Sequence, residues 1–351
     1  MAASRTGFHR LTVARVDSLT QDSAAVTFDV PPGLAERFAF APGQSLTVRR
    51  GAERRSYSIC AARGRAPRIG VREVAGGAVS GWLVREVRAG DVIEVQAPSG
   101  SFTPDVDVPG HHVLIAAGSG ITPVLSIASS VLAAQDKSAV TLLYGNRRSD
   151  SVMFADEIAD LKDAYPERIC LVHVLSREPQ EVELFNGRLD AAKLRTLLPV
   201  TVDVAAVDHW WLCGPFGLVE DAISLLAELG VRRGRIHREL FYVEDTPPAQ
   251  ATHAEAAAGP GAEVTVLLDG RSSTVMVPNG IPVLDGAQRV RPDLPFACKG
   301  GVCGTCRARL VEGQVTMRRN YALEQEELDA GYVLTCQSLP VSPSIIVDYD
   351  A

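Results

Sequence analysis

The chain has 351 residues, which suggests two or three domains, and its 46% hydrophobic and 22% charged residues are typical of globular proteins. The formal net charge of −7 argues against binding to nucleic acid or to an anionic membrane surface. No secretory signal is visible, and the long uncharged stretch 113–134 contains Gly-Ser-Gly-Ile-Thr-Pro, which predicts strand, turn and helix. We therefore expect a soluble, cytoplasmic protein without a membrane span.

Residues 1–107 have the pattern of a β-rich first domain. Regular short strands separated by Gly and Pro turns indicate an antiparallel barrel or sandwich, with one helix at Ser80–Val87. The predicted strands are Arg10–Val16, Ala25–Val30, Ser45–Val48, Tyr57–Cys60, Ile69–Val74 and Val92–Gln96.

Residues 108–243 change to an alternation of apolar strands and amphipathic helices. This alternation predicts an α/β domain with a doubly wound parallel sheet. The predicted strand and helix pairs are Val113–Ala117 with Pro123–Ala134, Val140–Tyr144 with Ser151–Lys162, Ile169–Leu175 with Asp190–Leu197, and Trp210–Cys213 with Gly217–Leu229.

Residues 244–261 are rich in Ala, Pro and Gly, which predicts a flexible linker. Residues 262–351 form a predicted α+β third domain. Its expected elements are a hairpin of Val264–Asp269 and Ser272–Val277, a helix at Val283–Val290, and strands at Tyr332–Gln337 and Ser344–Val347.

The third domain contains the most specific motif of the chain, a set of four cysteines. Cys298, Cys303 and Cys306 have the spacing C-x4-C-x2-C, and Cys336 follows after 29 residues. This is the plant-type [2Fe–2S] pattern, in which three thiolates lie on one loop and a distant fourth completes the ligand set. The alternatives are a zinc site, which more often pairs two C-x2-4-C hooks, and free core cysteines. Cys60 and Cys170 lie in apolar runs and are predicted to be core cysteines.

Two short motifs in the first domain suggest a flavin site. Strand alternation places Arg55 and Tyr57 on one face, where an aromatic ring can cover a planar cofactor and an arginine can bind its phosphates. Gly77 and Ser80 begin the predicted helix and could bind a second phosphate. Each motif alone fits an ordinary strand or helix cap, but both precede a nucleotide domain and an iron–sulfur domain.

The second domain has the features of a nucleotide site. Gly118, Gly120, Thr122 and Pro123 lie between a buried strand and a helix, where a pyrophosphate binds in doubly wound folds, although the third glycine of the Rossmann fingerprint is missing. After the next strand, Arg147 and Arg148 suit a 2′-phosphate, so NADPH is preferred over NADH. The last predicted strand ends in Cys213, Gly214 and Pro215, which could lie beside the nicotinamide.

In this order, the motifs resemble the ferredoxin–NADP reductase superfamily, in the branch with a C-terminal plant-type ferredoxin domain. The resemblance covers essentially the whole chain. It depends on Phe8–Ala14, Arg55–Cys60, Ala116–Pro123, Tyr144–Arg147, Pro295–Cys303, Asn320–Glu324 and Val347–Ala351.

The resemblance implies a β-barrel FAD domain, a nucleotide domain, a β-grasp ferredoxin domain and roles for individual residues. Tyr57 would cover the flavin, Ser58 would lie near flavin N5, Cys213 near nicotinamide C4, and Thr122 where flavin and nicotinamide meet. We expect Ser58 and Cys213 to take part in hydride transfer. The implied flavin residues are Arg55, Tyr57, Ser58, Val71, Gly77, Ser80, Thr122 and Phe241, although one branch of the family holds FMN.

The predicted function is electron transfer from NADPH through FAD and the [2Fe–2S] cluster to an external oxygenase. A flavin is needed because a hydride carries two electrons, whereas the cluster accepts one at a time. The resembling segments favour a di-iron phenylacetyl-CoA epoxidase of aerobic phenylacetate degradation as the partner. The alternatives are a steroid or aromatic-ring hydroxylase, or a redox-sensing module in place of an enzyme.

Overall fold

The computed structural model describes residues 7–51, 53–241, 261–323 and 325–351. The chain forms two compact units, one of residues 9–53 and 57–243, the other including residues 54–56 and the C-terminal residues. Except for Gly261, the predicted linker 244–261 lies outside the described residues. The domain boundaries at 107, 243 and 261 stay predictions.

The first domain is a six-stranded sheet in the order β4-β3-β6-β1-β2-β5, and the pairs β1–β2, β2–β5 and β3–β6 are antiparallel. A bridge between Ile59 and Ile69 joins the end of β4 to β5 and closes the sheet, so the predicted barrel is confirmed. The elements are β1 (Phe8–Thr20), β2 (Ser23–Asp29), β3 (Ser45–Arg50), β4 (Glu53–Ser58), β5 (Arg68–Arg72), α1 (Ala78–Arg85) and β6 (Val92–Gln96).

The second domain is a five-stranded parallel sheet in the order β11-β10-β7-β8-β9, as the alternation predicts. Since all strands run in one direction, their carboxyl ends meet at one edge, where open α/β sheets bind ligands. The elements are β7 (His111–Ala117), α2 (Ile121–Ala134), β8 (Ala139–Asn146), α3 (Ala155–Ala164), β9 (Ile169–Leu175), α4 (Ala191–Thr201), β10 (His209–Gly214), α5 (Phe216–Glu228) and β11 (Ile236–Leu240).

The uncharged stretch 113–134 is divided between β7, a 3₁₀ turn at Gly118–Gly120, and α2, in agreement with the predicted strand, turn and helix. In the part of the chain that the structure describes, no helix is both long and apolar enough to cross a membrane.

The third domain contains a mixed sheet in the order β13-β12-β18-β14-β16 and a two-stranded sheet of β15 and β17. Its core includes Val264, Leu284 and Ile345, and Cys306 and Cys336 belong to the same cluster. The elements are β12 (Ala262–Leu268), β13 (Arg271–Val277), α6 (Val283–Ala287), β14 (Arg307–Glu312), β15 (Val315–Met317), α7 (Gln325–Asp329), β16 (Tyr332–Leu334), β17 (Ser338–Pro340) and β18 (Ser344–Asp348).

The structure differs from the sequence expectations at several points. The strand predicted at Tyr57–Cys60 begins earlier, as β4, because polar residues there join the sheet. β11 and β14 were not predicted, since alternating charged residues hide their apolar positions. Cys170 is exposed rather than part of the core, because it lies on the edge strand β9, whereas Cys60 is buried as predicted.

Candidate functional site

Ser58 and Glu239 connect the barrel to the parallel sheet. Ser58 ends β4 and is buried, and its hydroxyl donates a 3.0 Å hydrogen bond to Glu239 Oε2. Glu239 lies on β11 in register with Cys213 of β10, whose side chain is fully buried. The fold therefore brings the predicted pair Ser58 and Cys213 to one place, together with an acid that the sequence motifs did not identify.

The Glu239 carboxyl lies in an environment that favours its neutral form. Desolvation raises its pKa to about 7, and the hydrogen bond from Ser58 opposes this shift. Burial, and secondarily the charge of Glu239, raise the pKa of the Cys213 thiol. Cys213 is therefore a neutral thiol at physiological pH. In hydride transfer it can pack against or orient a nicotinamide, but it is not a thiolate nucleophile.

The turn between β7 and α2 approaches β10 so closely that only glycine fits at position 120. A Cβ on Gly120 would overlap the Cys213 carbonyl and lie 3.0 Å from Gly214 N. The turn is held by the buried Tyr144, whose hydroxyl donates to Gly118 O over 3.0 Å. Thr122, also buried, donates to Ser119 O over 3.1 Å. The turn therefore presents backbone at the ligand edge of the sheet.

Arg72 is a cation at this turn that the sequence motifs did not identify. It lies on β5 beside the predicted flavin residue Val71, and its Nη1 is 3.2 Å from the Cβ position of Gly118. Its Nη2 donates to Ser151 O over 2.6 Å. A guanidinium between barrel and turn can offset the charge of a pyrophosphate. Its position depends on how the two sheets pack, which the sequence does not reveal.

The other predicted flavin residues lie on the barrel or follow β11. Tyr57 is half-buried, Arg55 and Phe241 are exposed, and Val71 is buried. The Ser80 hydroxyl accepts from Val74 N over 3.1 Å and donates to Gly77 O over 3.3 Å, so it orders the turn before α1. Their roles toward a flavin stay predictions.

The predicted nucleotide residues all lie at the carboxyl edge of the parallel sheet. Pro123 is buried in the first turn of α2, Gly214 ends β10, and Pro215 is exposed before α5. Arg147 and Arg148 follow β8 and are exposed. This arrangement gives an anionic ligand access to both guanidinium groups.

The cysteine loop has a backbone suited to wrapping around a cluster. Lys299, Gly301 and Gly304 have φ values of 51°, 80° and 65°, so the chain reverses direction repeatedly between the cysteines. Gln337, next to Cys336, donates from Nε2 to Lys299 O over 2.8 Å and ties the distant cysteine segment to the loop.

The four thiols form two pairs, Cys298 with Cys303 and Cys306 with Cys336. Among the described residues, no three His, Cys, Asp or Glu side chains surround one metal position. A [2Fe–2S] cluster has two irons and four cysteine ligands, so two thiol pairs fit this cluster better than a single zinc ion.

Backbone amides face the sulfur atoms, as a thiolate-bound cluster requires. Gly300 N donates to Cys298 Sγ over 3.3 Å. The Cys303 thiol, and then the backbone N–H groups of Gly300 and Val302, lower the pKa of Cys298. The partner thiols in turn raise the pKa of Cys303 and Cys306. The fit to a thiolate-bound cluster therefore rests on the four sulfur positions and on the backbone N–H groups around them.

Three family models match successive parts of the chain. The oxidoreductase FAD-binding domain matches residues 10–103, the oxidoreductase NAD-binding domain residues 114–223, and the 2Fe-2S iron-sulfur cluster binding domain residues 266–341. One of the subunits of 1,2-phenylacetyl-CoA epoxidase from Escherichia coli K12 is 41% identical over 99% of this chain and 99% of its own. The chain belongs to the ferredoxin–NADP reductase superfamily, in the branch with a C-terminal [2Fe–2S] domain. It is an oxidoreductase that binds FAD, a nicotinamide nucleotide and a [2Fe–2S] cluster.

A further relative is a reductase component, and two solved structures share the fold. The ferredoxin reductase component of 3-ketosteroid-9-alpha-monooxygenase from Mycobacterium tuberculosis H37Rv is 36% identical over 97% of this chain and 95% of its own. Phthalate dioxygenase reductase has the same fold, with a TM-score of 0.60, 23% identity, and coverage of 99% of this chain and 100% of the other. Full-length CYP116B46 from Tepidiphilus thermophilus gives a TM-score of 0.65 at 23% identity, over 97% of this chain and 42% of that one.

Proposed function

We propose that this reductase delivers electrons from NADPH, through FAD and the [2Fe–2S] cluster, to the oxygenase component of a phenylacetyl-CoA epoxidase in the cytoplasm. The observation that carries the proposal is the full-length 41% identity to one of the subunits of that enzyme. A steroid oxygenase is the second candidate partner, because the 36% identical relatives are reductases of 3-ketosteroid-9-alpha-monooxygenase.

The protein's own residues position the reactants. FAD, when bound, accepts the two electrons of a hydride and releases them singly. Ser58, held by Glu239, would orient the flavin edge, while Cys213 would pack beside the nicotinamide. Tyr57 and Phe241 would cover the flavin, and Arg55, Gly77 and Ser80 would bind its phosphates. Gly118, Gly120, Thr122 and Pro123 would receive the nucleotide, and Cys298, Cys303, Cys306 and Cys336 would bind the cluster.

NADPH is the proposed reductant because two arginines, Arg147 and Arg148, follow β8 at the ligand edge. In doubly wound folds, this strand end meets the adenosine ribose, and arginine suits a 2′-phosphate.

Coupled turnover with purified oxygenases tests the proposed partner. The reductase, NADPH and O₂ are mixed with the oxygenase of a phenylacetyl-CoA epoxidase or, in parallel, of a 3-ketosteroid hydroxylase, each with its substrate. We expect product close to one per NADPH with the epoxidase, and mainly uncoupled NADPH oxidation with the steroid enzyme. Coupled product only with the steroid enzyme would reassign the partner. A redox-sensing role instead predicts negligible turnover even with ferricyanide.

A further inference from the structure

The Glu178 carboxylate accepts hydrogen bonds from Ser149, just after β8. Ser149 lies directly after Arg147 and Arg148, and both its backbone N–H and its hydroxyl donate to Glu178 Oε2, each over 2.9 Å. Glu178 comes from the loop after β9, the strand next to β8 in the sheet. One carboxylate oxygen from the neighbouring strand end therefore satisfies both Ser149 donors.

The surroundings of this contact are suited to an anion. Arg147, Arg148 and Arg177 are exposed, and Arg177 N donates to Arg147 O over 2.8 Å, which joins the two loops. Arg148 Nε lies 3.4 Å from Asp150. The hydrogen bonds from Ser149 lower the pKa of Glu178, and Arg148 adds to this effect, so Glu178 is charged at neutral pH.

The two coenzymes would meet this carboxylate differently. The difference depends on the proposed function, which places the adenosine ribose at the carboxyl end of β8. A 2′-phosphate needs N–H, hydroxyl and guanidinium donors, and the Glu178 carboxylate holds two of these donors and repels the phosphate. The 2′-hydroxyl of NADH carries no charge and can donate to a carboxylate.

We propose that Glu178 is a specificity-determining residue, whose carboxylate competes with the 2′-phosphate of NADPH for Ser149 and so reduces the preference for NADPH over NADH. The arginines attract the phosphate and Glu178 moderates that attraction, which allows the reductase to use both coenzymes. The balance between the two coenzymes therefore depends on one contact, that of Ser149 after β8 with Glu178 after β9.

The test is the steady-state reduction of ferricyanide by the FAD-loaded full-length protein, with NADPH and NADH as alternative reductants. We expect Glu178→Gln, which keeps the shape and removes the charge, to lower the KM for NADPH about three- to tenfold. The KM for NADH should stay the same or rise, and kcat should change less than twofold with either coenzyme.

Two further variants separate this effect from general charge or structural changes. Glu181→Gln removes an exposed acid from the same loop and should leave the ratio of the two KM values unchanged. In a Ser149→Ala background, Glu178→Gln should have a smaller effect on the KM for NADPH. The Ser149 hydroxyl, one of the two donors for which Glu178 competes with the phosphate, is then absent.

Two results would overturn the inference in distinguishable ways. If Glu178→Gln leaves the KM ratio at the wild-type value, or moves both KM values equally, Glu178 does not determine specificity, although the reductase function stands. If the wild-type protein reduces ferricyanide with neither coenzyme, the proposed function fails and the inference with it.

Discussion

Protonation of the single residue Glu239 changes the free energy of unfolding. Its pKa in the folded protein is about 7, compared with 4.5 for a solvated glutamate. Because folding raises this pKa, the stability from Glu239 is complete below about pH 4 and is lost as the pH rises through 7. Between these values the folded protein binds more protons than the unfolded chain.

We predict that Glu239→Gln removes this pH dependence. Between pH 5 and 8, wild type should lose about 1–3 kcal/mol of stability relative to the variant, because only wild type must bury a charge. The measurement is thermal unfolding of both proteins across this pH range, followed by far-UV circular dichroism. Glu181→Gln, which removes an exposed acid, should follow wild type. Parallel curves for wild type and Glu239→Gln would contradict the account.

Cys303 tests the role of the cluster. Cys303→Ser should lose the visible absorbance and EPR signal of the cluster, since a hydroxyl is a poor ligand in place of a thiolate. Flavin reduction by NADPH should stay within about twofold of wild type, because the flavin and nucleotide residues are unchanged. Visible absorbance and EPR measure the loss of the cluster, and stopped-flow absorbance measures flavin reduction.

The matched control is Cys170→Ser, an exposed cysteine on the edge strand β9, which should retain both signals. If Cys303→Ser still passed electrons to the oxygenase at the wild-type rate, the cluster would lie outside the path.

At the scale of elements, the approach of the β7–α2 turn to β10 is the tightest constraint on the nucleotide edge. In Gly120→Ala, the added methyl group would overlap the Cys213 carbonyl, so the turn must move away from β10. We predict a KM for NADPH at least about tenfold higher, and a loss of about 1–3 kcal/mol of stability from overpacking. Ferricyanide kinetics and thermal unfolding measure these effects.

Gly217→Ala provides the comparison for Gly120→Ala. Gly217 lies in the first turn of α5, and a Cβ there meets no other atom within 4 Å. The change should leave stability equal or raise it by up to about 1 kcal/mol, because alanine favours helix. Equal destabilisation by both substitutions would show that the close approach at Gly120 is not the cause.

Sequence patterns predicted strands with continuous apolar runs, but not β11 and β14, in which charged residues interrupt the apolar positions. β7, β9 and β10 lie close to their predicted positions, but β11 has the sequence Ile-His-Arg-Glu-Leu and was not predicted. Its identity as a strand depends on pairing with β10, a long-range contact that local pattern does not contain.

The same limit applies to the candidate site. Spacing alone predicted the cluster cysteines, because the three ligands on the loop are close in sequence. The acid beside Ser58 was missed, since the two residues are 181 positions apart and meet only through the packing of two sheets. Arg72 and Glu178 were missed for the same reason, because each contacts an element that is distant in sequence. Arg72 lies beside Gly118 of the β7–α2 turn, and Glu178 accepts hydrogen bonds from Ser149 after β8.

At the scale of the whole molecule, one chain combines a flavin barrel, a nucleotide domain and an iron–sulfur domain. This combination matches a conversion from two-electron to one-electron chemistry, since the nucleotide donates a hydride and the cluster transfers single electrons. Electrons from the nucleotide should therefore reduce the flavin first and the cluster second.

Anaerobic stopped-flow mixing with NADPH tests this order most directly, with flavin and cluster absorbance followed separately and EPR of freeze-quenched samples identifying the reduced cluster. We predict that flavin reduction precedes cluster reduction, that the cluster of FAD-depleted protein stays oxidised, and that adding FAD restores cluster reduction. Reduction of the cluster by NADPH in the FAD-depleted protein, at the rate of the complete protein, would contradict this order.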